Sequence, residues 1–333
     1  MRVFVLGAGA SLHVGYPLVK ELGRELVRWI ANNPPPRNFP YWPDPDELEK
    51  CGPIEDIEEI IARLEQTAGS GPILAGLREA ICSYFDSIRA NGASLYRQFA
   101  SEVVQPGDVL ITFNYDVSLE RELRRAGKWE INDGYGFDLG IRNVPKSSTT
   151  ILKLHGSTNW IDSLFGGMRA GTFSQGYGWD SLGFRPVVLP REFAFLGYEG
   201  VTDPKPVGGV TRSGSMVLMS RNKRFYVSTS INPREREPFW STLWGHADTA
   251  LRDAGEVVII GYSLPEADVE ARRLLLETAN KHSLLTVCCG RDTNRVGDEF
   301  AQNGFPQVRT DTKRFEDWLA VQCLEATSTA KCA

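Results

Sequence analysis

Four short polar runs in this 333-residue chain carry side chains suited to chemistry. The first holds His155, one of four histidines, in Leu154-His155-Gly156-Ser157. An imidazole that titrates near neutrality suits proton acceptance, and a structural histidine is the competing reading. His13 follows a glycine run and could touch a ligand there, whereas His246 and His282 read as surface or cap residues. No two histidines are spaced as a metal pair, so no catalytic metal is expected. The second run is Phe113-Asn114-Tyr115-Asp116. The neutral amide of Asn114 could orient a water or hydrogen-bond a ribose hydroxyl. Asn and Asp at such junctions also form Asx-turns and helix caps, and on composition alone that plainer reading prevails for Asn114 and Asp116. The third run is Gly7-Ala8-Gly9-Ala10-Ser11. Its glycines would let the backbone approach a pyrophosphate at a helix N-terminus, or would form a plain tight turn. Leu12 keeps it from completing G-x-G-x-x-G. The fourth is Gly261-Tyr262-Ser263, a small-residue turn for a ribose or phosphate, or a simple turn with Pro265 opening a helix and Asp268 in its first turn.

Each run follows an apolar stretch of strand length. These stretches are Val3–Leu6, Asp108–Thr112, Thr150–Leu154 and Glu256–Ile260, and a fifth, Leu284–Cys288, ends at Gly290-Arg291-Asp292. Helical periodicity fills the spaces, with Leu18, Leu22, Leu26 and Ile30 on one face, then Ile54–Leu64, Ile73–Ile88, Phe239–Arg252 and Asp268–Asn280. Strands alternating with helices predict an α/β fold, a Rossmann-like doubly wound parallel sheet. Ligands of such sheets sit beyond the carboxyl ends of the strands, so all five polar ends are expected to converge on one cleft. Two long segments interrupt the alternation. One, about 31–105, is helical and holds six prolines between Asn32 and Pro45. The other, about 162–250, is irregular, with short strand signals at Val187–Leu189 and Met216–Met219. The polar tail 326–333 is expected to fray.

Composition narrows the class. Apolar residues are 42% and charged residues 24%, as in ordinary globular chains. Thirty-seven basic against 42 acidic side chains give a net charge of −5, which disfavours bulk binding to nucleic acid. The six cysteines include no C-x-x-C pair, so reduced thiols are expected rather than a zinc site or disulfide framework. No apolar run reaches the ~18 residues of a membrane span, and a cytoplasmic location is expected.

Together these runs resemble the sirtuin (silent information regulator) superfamily, and more closely its bacterial branch of sirtuin-like NAD-cleaving defence proteins. The resemblance rests on Gly7–Ser11 with Gly15-Tyr16-Pro17, on Thr112–Asp116, on Lys153–Ser157 with Asn159-Trp160, and on Ile260–Pro265, in family order over residues 3 to about 292. It implies one NAD-binding domain over 1–325, the two long segments being insertions. NAD+ would be the substrate, with no metal. Gly7, Ala8, Gly9 and Ser11 would take the pyrophosphate. Asn114 and His155 would act at the nicotinamide ribose, and Asp116 would hold the carboxamide. Gly261 and Ser263 would line the adenosine side, and Gly290 and Arg291 would border the adenine. The four-cysteine zinc module of protein-deacylating sirtuins is absent. Pro17 is followed by Leu18-Val19-Lys20 rather than Asp-Phe-Arg, and Phe113 replaces a glutamine. The implied activity is therefore NAD hydrolysis to nicotinamide and ADP-ribose, acting in anti-phage defence by NAD depletion. A protein deacylase and a non-catalytic nucleotide-sensing subunit are the alternatives. A lethal activity of this kind implies gating by a homo-oligomer or a regulatory partner protein.

Overall fold

A computed structural model describes residues 1–34, 42–67, 69, 71–88, 94–131, 133–137, 145–162, 186–188, 216–218, 233–310 and 312–330. Six parallel strands form its main sheet. They are β1 (Arg2–Leu6), β2 (Val109–Thr112), β3 (Thr150–Lys153), β7 (Glu256–Ile260), β8 (Leu284–Cys288) and β9 (Val308–Arg309), in the order β3-β2-β1-β7-β8-β9. Counted along this sheet alone, that is the 3-2-1-4-5-6 order of a doubly wound, Rossmann-like α/β fold. The strands read as near-continuous apolar runs because helices cover both faces, and Val3, Phe4, Val5 and Leu6 are all fully buried.

The five strands anticipated from sequence match within a residue at each end. The two-residue β9 carries too little pattern to be read. A second, antiparallel sheet has the order β5-β4-β6, from β4 (Gly156–Asp162), β5 (Pro186–Val188) and β6 (Met216–Leu218). The short strand signals thus correspond to β5 and β6. β4 starts at the residue after His155. Most of the remaining irregular segment lies outside the described residues.

Between β1 and β2 run α1 (Val19–Asn32), α2 (Pro45–Cys51), α3 (Ile57–Gln66), α4 (Gly71–Ser87) and α5 (Leu95–Gln98). Leu22, Leu26 and Ile30 give α1 its buried face, as the spacing predicts. α6 spans Ser118–Arg125, α7 Pro233–Asp253, α8 Val269–Arg273, α9 Thr293–Gln302 and α10 Phe315–Ala330. Trp318 of α10 meets Phe4 of β1 edge-on at 6.2 Å between ring centroids, and Phe99 meets the same ring at 4.9 Å. Two helix expectations change. The helix expected over Asp268–Asn280 is α-helical only over Val269–Arg273 and continues as a π-helical segment, Leu274–Thr278. The glycine run opens not into a long helix but into a 3-10 turn, Ala8–Val14, that ends at Gly15 with φ +94°. α1 begins only after Pro17, whose ring supplies no amide hydrogen.

Candidate functional site

Strand register brings the polar runs to one edge. Thr112 pairs with Leu6 on one side and Lys153 on the other, Leu6 pairs with Ile260, and Ile260 pairs with Cys288. The ladder continues one residue further. Phe113 N donates to Leu6 O (3.0 Å), Leu154 N to Thr112 O (3.1 Å), Gly7 N to Ile260 O (2.9 Å) and Gly261 N to Cys288 O (2.8 Å). The next residues along the four strands β1, β2, β3 and β7 are Ala8, Asn114, His155 and Tyr262. Asn114 and His155 therefore leave neighbouring strands at the same height. The strand order reverses between β1 and β7, the position where doubly wound sheets open a ligand crevice.

The glycines at this edge are first of all a packing device. Gly9 N donates to Gly261 O at 3.0 Å, and the two turns lie backbone against backbone. A Cβ on Gly7 would stand 2.6 Å from Gly261 O, one on Gly9 2.8 Å from Gly261 Cα, and one on Gly261 2.2 Å from Ala10 N. Gly261 also has φ +65°, a left-handed conformation that favours glycine. Three amides of the first loop, those of Gly7, Gly9 and Ala10, already donate to carbonyls within the protein.

Ser11 organises a buried polar network beside this interlock. Its hydroxyl donates to Asp116 Oδ2 (2.8 Å), accepts from Asn114 Nδ2 (3.0 Å) and lies 2.9 Å from the Tyr96 hydroxyl. Its single proton goes to the carboxylate, so Tyr96 is the donor in the last contact. Burial and the nearby Asp116 charge push the Tyr96 phenol well above its ordinary value, which keeps that proton in place. Asn114 Nδ2 also donates to Gly7 O at 2.9 Å. A carbonyl can only accept, so this contact fixes which way the amide points. Both amide protons face the protein, and no hydrogen bond from a described residue reaches Oδ1 of this half-buried side chain. Asp116 accepts the Ser118 amide through Oδ1 at 2.9 Å, the cap expected of an Asp at this junction.

His155 belongs to a second cluster one strand away. Its Nε2 lies 3.2 Å from Asp268 Oδ2, and the same oxygen accepts the Tyr262 hydroxyl at 2.6 Å. The Phe113 ring bridges the cluster, 4.8 Å from His155 and stacked on Tyr262 at 4.2 Å. Asp268 is the N-cap of α8 rather than a residue of its first turn, its side chain accepting from Ala271 N. Burial and the neighbouring carboxylate hold the Tyr262 phenol well above its usual range. Beneath both clusters, Lys153 is completely buried and donates to the Asp116 carbonyl and to Glu120 Oε1, the latter at 2.9 Å. Burial raises the Glu120 carboxyl, and Lys153 opposes that shift.

Ser263 has its carbonyl bound by Arg295. Gly290 has φ +61° with open space where a Cβ would go, and Arg291 is exposed. His13 is engaged with the Ser94 hydroxyl at 3.1 Å and packed on Tyr96. His246 and His282 are exposed. Cys51, Cys288, Cys289 and Cys323 are free thiols, and burial pushes that of Cys289 up to about 12. No helix among the described residues is long and apolar enough to cross a membrane. Sequence reasoning missed Tyr96 and the role of Asp268. Tyr96 is 85 residues from Ser11 and carries no local signal. Asp268 was readable only as a helix start.

Fold and site define a doubly wound α/β protein with two buried polar clusters at the carboxyl edge of its sheet. The chain is similar to a solved structure of a Sir2 enzyme, with 14% identity, a TM-score of 0.41, and coverage of 100% of this chain and 93% of the other. It is also similar to a histidine-to-asparagine mutant of a Sir2 homologue in complex with ADP-ribose (13% identity, TM-score 0.38, 99% and 92% coverage). A sirtuin structure concerned with substrate affinity is similar too (12% identity, TM-score 0.38, 98% and 93% coverage). No protein-family profile and no curated protein sequence matches the chain.

Proposed function

We propose that this chain is a sirtuin-like enzyme that binds NAD+ at the carboxyl edge of its sheet and hydrolyses the nicotinamide–ribose bond. The products are nicotinamide and ADP-ribose. The observation that carries the reading is the pairing of Asn114 and His155. They leave adjacent strands at one height at the carboxyl edge of the sheet, and Asn114 is held there by the glycine loop. Cleavage of an N-glycosidic bond passes through an oxocarbenium-like state, and a nicotinamide leaving group departs neutral, so no strong general acid is required. The chain must instead hold the ribose, present a water and accept its proton. In this reading Asn114 Oδ1 orients the water or a ribose hydroxyl, and His155 polarises the hydroxyl or takes the proton, a role typically worth ~10²–10⁴-fold. The Gly7–Ser11 loop faces the pyrophosphate. Gly261 and Ser263 line the adenosine side, and Gly290 and Arg291 lie toward the adenine. Asp116 has a cap bond and a Ser11 bond already, so its role toward the carboxamide would be shared with holding the loop.

The resemblance in the motifs extends the reading to a bacterial anti-phage effector that depletes NAD, gated by self-association or a regulatory partner. The test is product analysis of NAD incubated with the purified chain, with and without an acetylated peptide. Nicotinamide and ADP-ribose without peptide support the reading. O-acyl-ADP-ribose formed only with peptide would replace it by deacylation. NAD that binds and stays intact would replace it by a sensing role.

A further inference from the structure

We propose that Asp268 is the positioning residue for His155, holding the neutral imidazole as the Nε2–H tautomer so that Nδ1 is its proton-accepting atom. The inference rests on the NAD-cleaving reading for its catalytic consequence, but its structural content stands on geometry alone.

Asp268 is 3% exposed and His155 4% exposed, so their contact is removed from competing water. A buried carboxylate requires donors, and an ionised one can only accept. The Ala271 amide donates to Oδ1 at 3.4 Å, which is the helix cap. Oδ2 is turned the other way. It takes the Tyr262 hydroxyl at 2.6 Å, a phenol that burial keeps protonated, and it faces His155 Nε2 at 3.2 Å. The cap uses Oδ1, and the Tyr262 hydroxyl and His155 Nε2 converge on Oδ2. An acceptor oxygen 3.2 Å away favours the hydrogen on Nε2, and in the neutral ring the lone pair then falls on Nδ1. The ring is also confined by Phe113, 4.8 Å away, which is itself stacked on Tyr262. His155, Asp268 and Tyr262 thus form one unit drawn from the end of β3, the cap of α8 and the turn after β7. A carboxylate that fixes tautomer and ring orientation, without itself taking the proton, is a recurrent way to ready a histidine base.

The test is ¹⁵N NMR of imidazole-labelled protein at a pH where the ring is neutral, without NAD. Only four histidines contribute, and a His155→Gln spectrum assigns the signal. The expected result is protonated Nε2 and unprotonated Nδ1 in the wild type. In Asp268→Asn this preference is lost, while melting stays close to wild type because Asn also caps helices. Tyr262→Phe keeps both the carboxylate and the tautomer. In NAD turnover, Asp268→Asn lowers kcat by ~10²–10³-fold with KM within about threefold, and Tyr262→Phe loses less than about tenfold. An Nδ1–H tautomer in the wild type, or an Asp268→Asn variant with unchanged tautomer and kcat, would overturn the inference. Wild-type protein with the expected tautomer but no NAD turnover leaves the positioning role standing and removes the NAD-cleaving reading.

Discussion

Replacing Ser11 by alanine tests the polar network directly, because every bonding position of its hydroxyl is in use. The one proton goes to Asp116, and the oxygen accepts from Asn114 and Tyr96. Alanine strands the fully buried Tyr96 hydroxyl, which costs about 1–3 kcal/mol, and removes a charge-assisted bond worth about 1.5–3 kcal/mol from Asp116. Asn114 keeps its bond to Gly7 O, so its share is smaller, about 0.5–1 kcal/mol. The total is about 3–7 kcal/mol, a large part of the ~5–15 kcal/mol that holds a domain folded. Urea unfolding of Ser11→Ala, Tyr96→Phe and the double variant measures it. In the wild type, Tyr96→Phe costs about 1 kcal/mol, but in Ser11→Ala it removes the stranded donor and costs nothing or restores stability. The coupling between the two sites is therefore expected at about 1–2 kcal/mol. A Ser11→Ala variant within about 0.5 kcal/mol of wild type, with additive effects, would refute the network.

Further expectations concern the interlocked turns and the buried ion pair. Gly261→Ala, with a left-handed φ and a Cβ 2.2 Å from Ala10 N, is expected to cost at least ~3 kcal/mol. Gly290→Ala, with a similar φ but open space, is expected to cost only ~1–2 kcal/mol, and thermal melts of the two compare them. Lys153→Met leaves Glu120 buried without its cation, at a cost of ~3–5 kcal/mol at about pH 8. The Glu120 carboxyl is already raised above its ordinary value of 4.5, and losing Lys153 raises it further. A raised folded value means stability is present at low pH and lost as pH rises through it. The deficit of Lys153→Met should accordingly shrink toward about pH 4.5 and widen upward, read from urea midpoints across that range.

The sheet was legible because its parallel strands are buried on both faces. Val3–Leu6 and Val257–Ile260 are unbroken apolar runs ended by glycine. β4 was not legible, since Gly-Ser-Thr-Asn-Trp-Ile-Asp has neither an apolar run nor clean alternation and is defined by its partners β5 and β6. The 3-10 turn after Gly7 was hidden for a similar reason. Its geometry is dictated by the Gly261 turn, more than 250 residues away. The candidate residues Asn114 and His155 could be read from their strand-end positions. Their supports could not, because Tyr96 and Asp268 come from helices whose distance to the sheet edge no local pattern encodes. Glycine at positions 7, 9 and 261 was readable as a ligand cradle, whereas the contacts first explain it as mutual packing.

The most direct test of the account is the rate at which purified wild-type protein releases nicotinamide and ADP-ribose from NAD, measured beside Asn114→Ala and His155→Ala at matched folded fraction. The account predicts release by the wild type and a loss of ~10²-fold or more in each variant, with both still folded. Equal rates in all three proteins, or a wild type that neither cleaves nor binds NAD, would contradict it.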